Sequence, residues 1–144
     1  MDQKLFQIID ANLNRTREGL RVCEDISRFA VADKGIARSL KLTRHATTKA
    51  LLFSKNPSLK RLLQARDTKG DVLKTLDFKK GRKIDISDIF MSNIERVKES
   101  LRVLEECFKI FDENTSRKYR RLRFNVYDAE KKAVGNLRHI SGNR

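Results

Sequence analysis

Proline occurs once in the 144 residues, at Pro57, glycine only six times, and tryptophan not at all. So few helix breakers exclude an architecture of short strands and frequent turns, and leave long helices as the natural alternative. Apolar runs are short as well. The longest, such as Ala50-Leu51-Leu52-Phe53, fall far below the roughly 20 residues that a membrane-crossing helix needs, so no membrane role is expected. The start, Met1-Asp2-Gln3-Lys4, carries no apolar stretch behind a basic one, which argues against a secretory leader. Two cysteines, Cys23 and Cys107, are too few for a disulfide framework and lack metal-ligand spacing. A reducing, cytoplasmic setting is the expectation. There is no Gly-x-x-x-x-Gly-Lys-Ser/Thr loop and no Gly-x-Gly-x-x-Gly after a strand, and no Ser–His–Asp set can be assembled.

What the chain has in abundance is charge. Charged residues make up 36% and the net charge is +14, against a typical charged fraction of about 25%. A field of that sign attracts polyanions: nucleic acid, anionic surfaces or phosphorylated metabolites. The length suits one domain with one core.

The most informative pattern is a repeat. Residues 11–25 align with residues 92–106 at an offset of 81, and seven positions are identical: Asn12/Asn93, Arg15/Arg96, Glu18/Glu99, Leu20/Leu101, Arg21/Arg102, Val22/Val103 and Glu24/Glu105. Downstream, Arg38, Lys41 and Arg44 return as Arg117, Arg120 and Arg123 at an offset of 79. The unit is therefore a helical hairpin written twice. Repeat 1 spans about 4–54, a partly helical connector 55–85, and repeat 2 about 86–135. Two hairpins that each expose an apolar stripe bury those stripes on one another, giving an all-α, up-and-down four-helix bundle with approximate two-fold symmetry.

Apolar spacings of three and four support each helix. The second carries Ile36, Leu40, Thr43, Thr47 and Leu51, and the fourth Tyr119, Leu122, Val126, Ala129 and Ala133. Ser87 or Asp88 is expected to cap the third helix, Ser58 to Ala65 to form a short helix, Lys69–Asp71 and Lys79–Gly81 to turn, and the tail from Gly135 to fray. On a wheel of about 100° per residue with Asn12 at zero, Val22, Ile26 and Phe29 fall at roughly 280°, 320° and 260°, which reads as the inward stripe. Arg15 and Glu18 then lie at roughly 300° and 240°, on or beside it, whereas Arg21 and Glu24 face outward as a surface pair.

Burying an arginine and a glutamate costs several kcal/mol unless they are paired. Either each repeat holds an Arg–Glu pair that fixes how the halves dock, or the two Asn/Arg/Glu triplets line a pocket in which arginines face phosphate oxygens and carboxylates face a metal. Gly19 favours close approach of something to the first helix. Lone His45 and the charged cluster Arg66, Asp67 and Asp71 complete the candidates, and the cysteines read as buried thiols.

The run Asp10-Ala-Asn-Leu-Asn-Arg-Thr-Arg-Glu-Gly-Leu-Arg-Val-Cys-Glu-Asp-Ile-Ser-Arg-Phe29 resembles the monofunctional hydroxymethylpyrimidine-phosphate kinase family, whose domain also occurs fused ahead of thiamine-phosphate synthase. The resemblance continues through Lys41–His45, Ala65–Asp67, Asp71-Val72, Asn93–Arg96 and Glu99–Glu106, with Leu73 standing where the family carries glycine. It implies ATP-dependent phosphorylation of hydroxymethylpyrimidine phosphate to the diphosphate, with ATP and Mg²⁺ as cofactors. The fused synthase is a barrel of about 250 residues, too long for this chain. A phosphate nucleophile ionised near its second pKa of about 6 needs positioning and charge neutralisation more than a base. On this reading the catalytic set is Arg15, Glu18, Arg44, His45 and Arg96. Asn12, Asn93, Arg66 and Glu99 hold substrate, and Asp67 and Asp71 hold the metal. A phosphorylated pyrimidine and ATP are the expected partners, and nucleic acid is not. Self-association or association with a thiamine-phosphate synthase is left open. The alternatives are a basic nucleic-acid-binding module and a non-catalytic interaction domain of a thiamine-phosphate synthase.

Overall fold

The computed structural model describes residues 2–54, 57–73 and 83–141, with side chains described as far as Leu137. The expected turn at Lys79–Gly81 lies outside the described residues. Five α-helices account for the architecture: α1 (Asp2–Asp25), α2 (Lys34–Leu52), α3 (Leu59–Ala65), α4 (Ile86–Phe111) and α5 (Glu113–Ser141). The all-α expectation holds: the described residues contain no strand. Hairpin α1/α2 and hairpin α4/α5 pack so that α1 lies against α4 and α2 against α5, a two-layer bundle. The connector helix α3 leans on α1.

Copies of one motif meet across the α1/α4 seam. The Thr16 and Ser100 hydroxyls are 2.7 Å apart, and the Cys23 thiol donates to the Phe90 carbonyl, so the two helices run antiparallel. The 81-residue offset maps the Thr16·Ser100 contact onto Val97·Gly19, and that contact is also made. A Cβ built on Gly19 would sit 2.7 Å from Val97 Cγ2 and 3.1 Å from the Asn93 carbonyl oxygen. Gly19 therefore admits helix α4, not a ligand. The duplicated asparagines behave alike: Asn12 Nδ2 donates to the Ile8 carbonyl and Asn93 Nδ2 to the Ile89 carbonyl, both at 2.8 Å.

The change in offset from 81 to 79 has a local cause. Asp33 caps α2 by accepting from the Ile36 amide, and its counterpart Asp112 accepts from Thr115 at the start of α5. Between Glu24 and Asp33, repeat 1 has two residues more than repeat 2 has between Glu105 and Asp112. The surplus is taken up by a π turn at Ile26–Ala30 and by Ala32, which sits at φ 55°. That left-handed conformation costs an L-residue roughly 1 kcal/mol, a cost glycine avoids. Ala32→Gly is thus expected to raise the melting temperature by about 2–4 °C, measured by calorimetry, even though it loosens the unfolded chain. An unchanged or lower midpoint would contradict this account.

Every anticipated core position of α2 and α5 is buried. Of the expected inward stripe of the first helix, Ile26 is buried, but Val22 is half-buried and Phe29 exposed. The buried residues of α1 are Phe6, Ile9, Asp10, Asn12, Leu13, Thr16, Gly19, Leu20, Cys23 and Glu24, a stripe centred near 60° rather than 290°. Arg15 and Glu18 are consequently exposed, as are Phe29 and Ile110, and no charge enters the core at those positions. Two smaller expectations are also corrected. Asp85 caps α4 in a reciprocal box with Asp88, because Asp85 is the last extended residue before the helix. Helix α5 runs through Gly135 to Ser141 instead of fraying, and Ala133 and Leu137 stay buried. Ser58 does cap α3, accepting from the Arg61 amide.

Candidate functional site

A cleft of about 640 Å³ opens where the connector crosses α1, and its walls include Lys4, Asp10, Asn12, Arg15, Arg66, Asp67 and Asp71. Five residues expected at the site from the sequence (Asn12, Arg15, Arg66, Asp67 and Asp71) are thereby brought together. The clamp that builds the cleft is Asp10 with Arg66. Asp10 is buried on α1, and Arg66, just past the end of α3, reaches it in a bidentate pair: Nε to Oδ2 at 2.7 Å and Nη2 to Oδ1 at 2.8 Å. The hydrogen bond to Asp10, and then its charge, hold the Arg66 pKa above the ordinary arginine value. Two of the three guanidinium nitrogens are thus committed, and Nη1 is left for a ligand.

Arg15 adds a second cation, steadied by a 3.4 Å hydrogen bond from Nη1 to Asn12 Oδ1. Asn12 is itself fixed by its bond to Ile8, so the pair is ordered without being neutralised. Neither Lys4 nor Arg15 forms an ion pair among the described residues. Asp67 accepts from the Gly70 amide at 2.9 Å and Asp71 from the Leu73 amide at 3.0 Å, so both carboxylates shape the loop as they line the cleft. Leu73 is exposed in that turn. Among the described residues no three His, Cys, Asp or Glu side chains converge to hold a metal. The arrangement suits an anion held by arginine, with carboxylates close enough to select among anions.

The other expected residues lie elsewhere. Arg44 is half-buried away from the cleft with Nε 3.0 Å from Glu24, and Arg123 mirrors it in repeat 2, 2.9 Å from Glu105. Glu24 and Glu105 are therefore interior, each paired with an arginine of the neighbouring helix; Arg21 keeps its expected contact with Glu24 at 4.0 Å and lies nearer to Asp25 at 3.6 Å. Arg102 turns to Glu106 instead, at 3.1 Å. His45 is exposed on α2, and Glu18, Arg96 and Glu99 are exposed on the outer face of the α1/α4 layer. Asn93 copies the Asn12 hydrogen bond but does not line this cleft. Met91 occupies the position equivalent to Asp10, and the connector helix α3 packs on α1. Duplicated residues thus serve one site and one structural copy. Cys23 is a buried thiol, its pKa pushed up to about 12 by burial and by the charge of Glu130, which removes it as a nucleophile at neutral pH.

Asp10 is the cleft residue that periodicity missed. Its signal was present: it opens the run Asp10–Phe29 and stands on α1 about 100° from the core centre, where a carboxylate needs a partner.

Comparison with known proteins narrows the reading. The ThiD2 family model matches residues 7–132. Relatives named thiamine-phosphate synthase align along most of the chain. The protein of Nostoc punctiforme is 34% identical over 140 residues, covering 96% of this chain and 38% of its own length. That of Synechocystis sp. is 36% identical over 132 residues (91% and 36%), and that of Thermosynechococcus vestitus 33% over 146 residues (97% and 40%). The chain spans about two fifths of the length of these relatives. No solved structure gives a significant match. These names overturn the expectation of an ATP-dependent hydroxymethylpyrimidine-phosphate kinase, since the relatives aligned along the chain are named for a synthase. No described helix is long and apolar enough to cross a membrane. The chain belongs to the ThiD2 family.

Proposed function

We propose, with membership of the ThiD2 family as the premise, that this chain serves thiamine biosynthesis as an accessory domain of a thiamine-phosphate synthase, holding a phosphorylated pyrimidine precursor in the Arg15–Arg66 cleft. The observation that carries the reading is the alignment of nearly the whole chain with about two fifths of proteins bearing the synthase name. A unit of that proportion is a domain that works beside another. The cleft supports the ligand class. The free edge of Arg66 and the unpaired Arg15 and Lys4 suit a phosphate group, and the Asn12 side chain lies beside them in the same wall.

Calorimetric titration with hydroxymethylpyrimidine phosphate is the direct test. The wild-type chain is expected to bind it, and Arg15→Ala to weaken binding about 10–100-fold, the loss of one charge-assisted hydrogen-bonding group. His45→Ala, outside the cleft, leaves affinity unchanged. Added to a thiamine-phosphate synthase lacking such a domain, the chain lowers the KM for the pyrimidine substrate. If the chain neither binds the phosphate ester nor alters synthase kinetics, the reading falls.

A further inference from the structure

Helix α1 is apolar on two sides. Besides the core stripe, it presents Ile8, Ala11 and Val22 along its outer face, with Phe29 following in the π turn, and α4 repeats the row at the 81-residue offset with Ile89 and Val103, Ser92 standing in place of Ala11, and Ile110 beyond them. Among the described residues this second stripe is left largely uncovered. Ile8 is 43% exposed and its counterpart Ile89 42%, while Phe29, in the π turn, is 72% exposed and Ile110, near the end of α4, 66%. Val22 and Val103 are half-buried. Matching exposure of aliphatic and aromatic side chains in both copies of a motif marks an apolar face, not scattered surface hydrophobes.

The middle of the face carries Arg15 and Glu18 from α1 and Arg96 and Glu99 from α4, all exposed and none in an ion pair among the described residues. Two arginines and two glutamates make this band neutral on a chain whose net charge is +14. A uniformly acidic partner would leave the glutamates opposed, and a basic one the arginines. A surface with the same alternation, turned by a two-fold rotation, matches both. The remaining basic surface repels another copy, so the neutral band is where a copy approaches at least electrostatic cost. The size is adequate too. From residue 8 to residue 29 a helix runs about 30 Å, and two neighbouring helices give a face about 20 Å wide. Each partner thus contributes roughly 600 Å², and a total of about 1,200 Å² meets the lower bound for a specific interface.

We propose that the outer face of the α1/α4 layer is a self-association surface, on which two copies of this chain pack across a two-fold axis to form a second bundle. The cleft gives the dimer a consequence. Ile8, Ala11, Arg15 and Val103 belong both to this face and to the cleft wall, so the second copy covers the open side of the site. The inference does not depend on which anion the cleft takes.

Sedimentation equilibrium on the full chain tests it. Wild type is expected to sediment at twice the chain mass, with association weakened at least 100-fold by Phe29→Asp with Ile110→Asp. Both side chains are exposed, so the variant folds, and its circular dichroism matches wild type. Reversing Arg15 alone (Arg15→Glu) weakens the dimer at least 10-fold. Reversing all four charges (R15E, E18R, R96E, E99R) restores it, because the reversed face is again its own complement. Phe53→Asp, at the end of α2 in the other layer, leaves the dimer intact. A chain that stays monomeric at high concentration overturns the proposal, even if a synthase then shields the face from hydrogen exchange. So does a dimer that survives the Phe29/Ile110 change and yields to Phe53→Asp.

Discussion

Glu105→Ala lowers stability by about 3–5 kcal/mol, a fall of roughly 10–15 °C in the melting temperature. The carboxylate lies 2.9 Å from Arg123 Nη2 and accepts again from Nε at 3.0 Å, with both side chains nearly closed to solvent. Removing it strands a guanidinium in a region that supplies no replacement acceptor of equal strength, and the penalty is mostly that desolvated charge. Glu24→Ala follows the same logic in repeat 1 with a somewhat smaller loss, because Arg44 is less enclosed than Arg123. The size of the single-variant effect is not the worth of the pair. Glu105→Leu with Arg123→Met, which removes both charges, is expected to lose much less than Glu105→Ala. Arg102→Ala, which breaks only the surface contact with Glu106, should cost under about 0.5 kcal/mol. Chemical denaturation of the four proteins decides the matter. If Glu105→Ala and Arg102→Ala prove equally mild, the two buried pairs do not hold the hairpins together.

Gly19→Ala destabilises by about 1–3 kcal/mol, although the same change in an open helix would stabilise by roughly 1 kcal/mol. The added methyl meets Val97, which is fully buried and β-branched, and the backbone oxygen of Asn93. Neither can retreat without moving α4 away from α1. The test is a cycle. Val97→Ala alone leaves a cavity, and Gly19→Ala placed in that background is expected to fill it and recover stability. If Gly19→Ala were neutral or stabilising in the wild-type background, the α1/α4 seam would be looser than the contact implies, and the antiparallel crossing of the repeats with it.

Much of the fold was legible because it is written locally. Spacings of three and four pick out buried residues of α2 and α5. The N-cap aspartates and the scarcity of glycine and proline set helix type. In α1 the same method chose the wrong side, for a physical reason: the helix has two apolar stripes, and periodicity gives the angle between them without saying which one a neighbouring helix will cover. Phe29 was assigned to the core as well because the wheel assumes 3.6 residues per turn, and the π turn at Ile26–Ala30 breaks that phase.

The candidate site divides along the same line. Arg66, Asp67 and Asp71 could be named from sequence, as could Arg15 and Asn12, because family resemblance and charge clustering single them out. Their company could not. Asp10 and Arg66 are 56 residues apart, and their pairing depends on the connector folding back across α1.

The letters by themselves determined that this is a duplicated helical hairpin with a strongly basic surface and a recognisable set of polar residues. Tertiary structure alone decided which copy of each residue works at the cleft, since α1 receives the connector helix and carries Asp10 to clamp Arg66, where α4 has Met91 at the equivalent position. It also decided that Glu24 and Glu105 are interior. Local spacing fixes where a side chain leaves its own helix. What meets it there is set by chain segments far away in sequence, and burial and ion pairing are properties of that meeting.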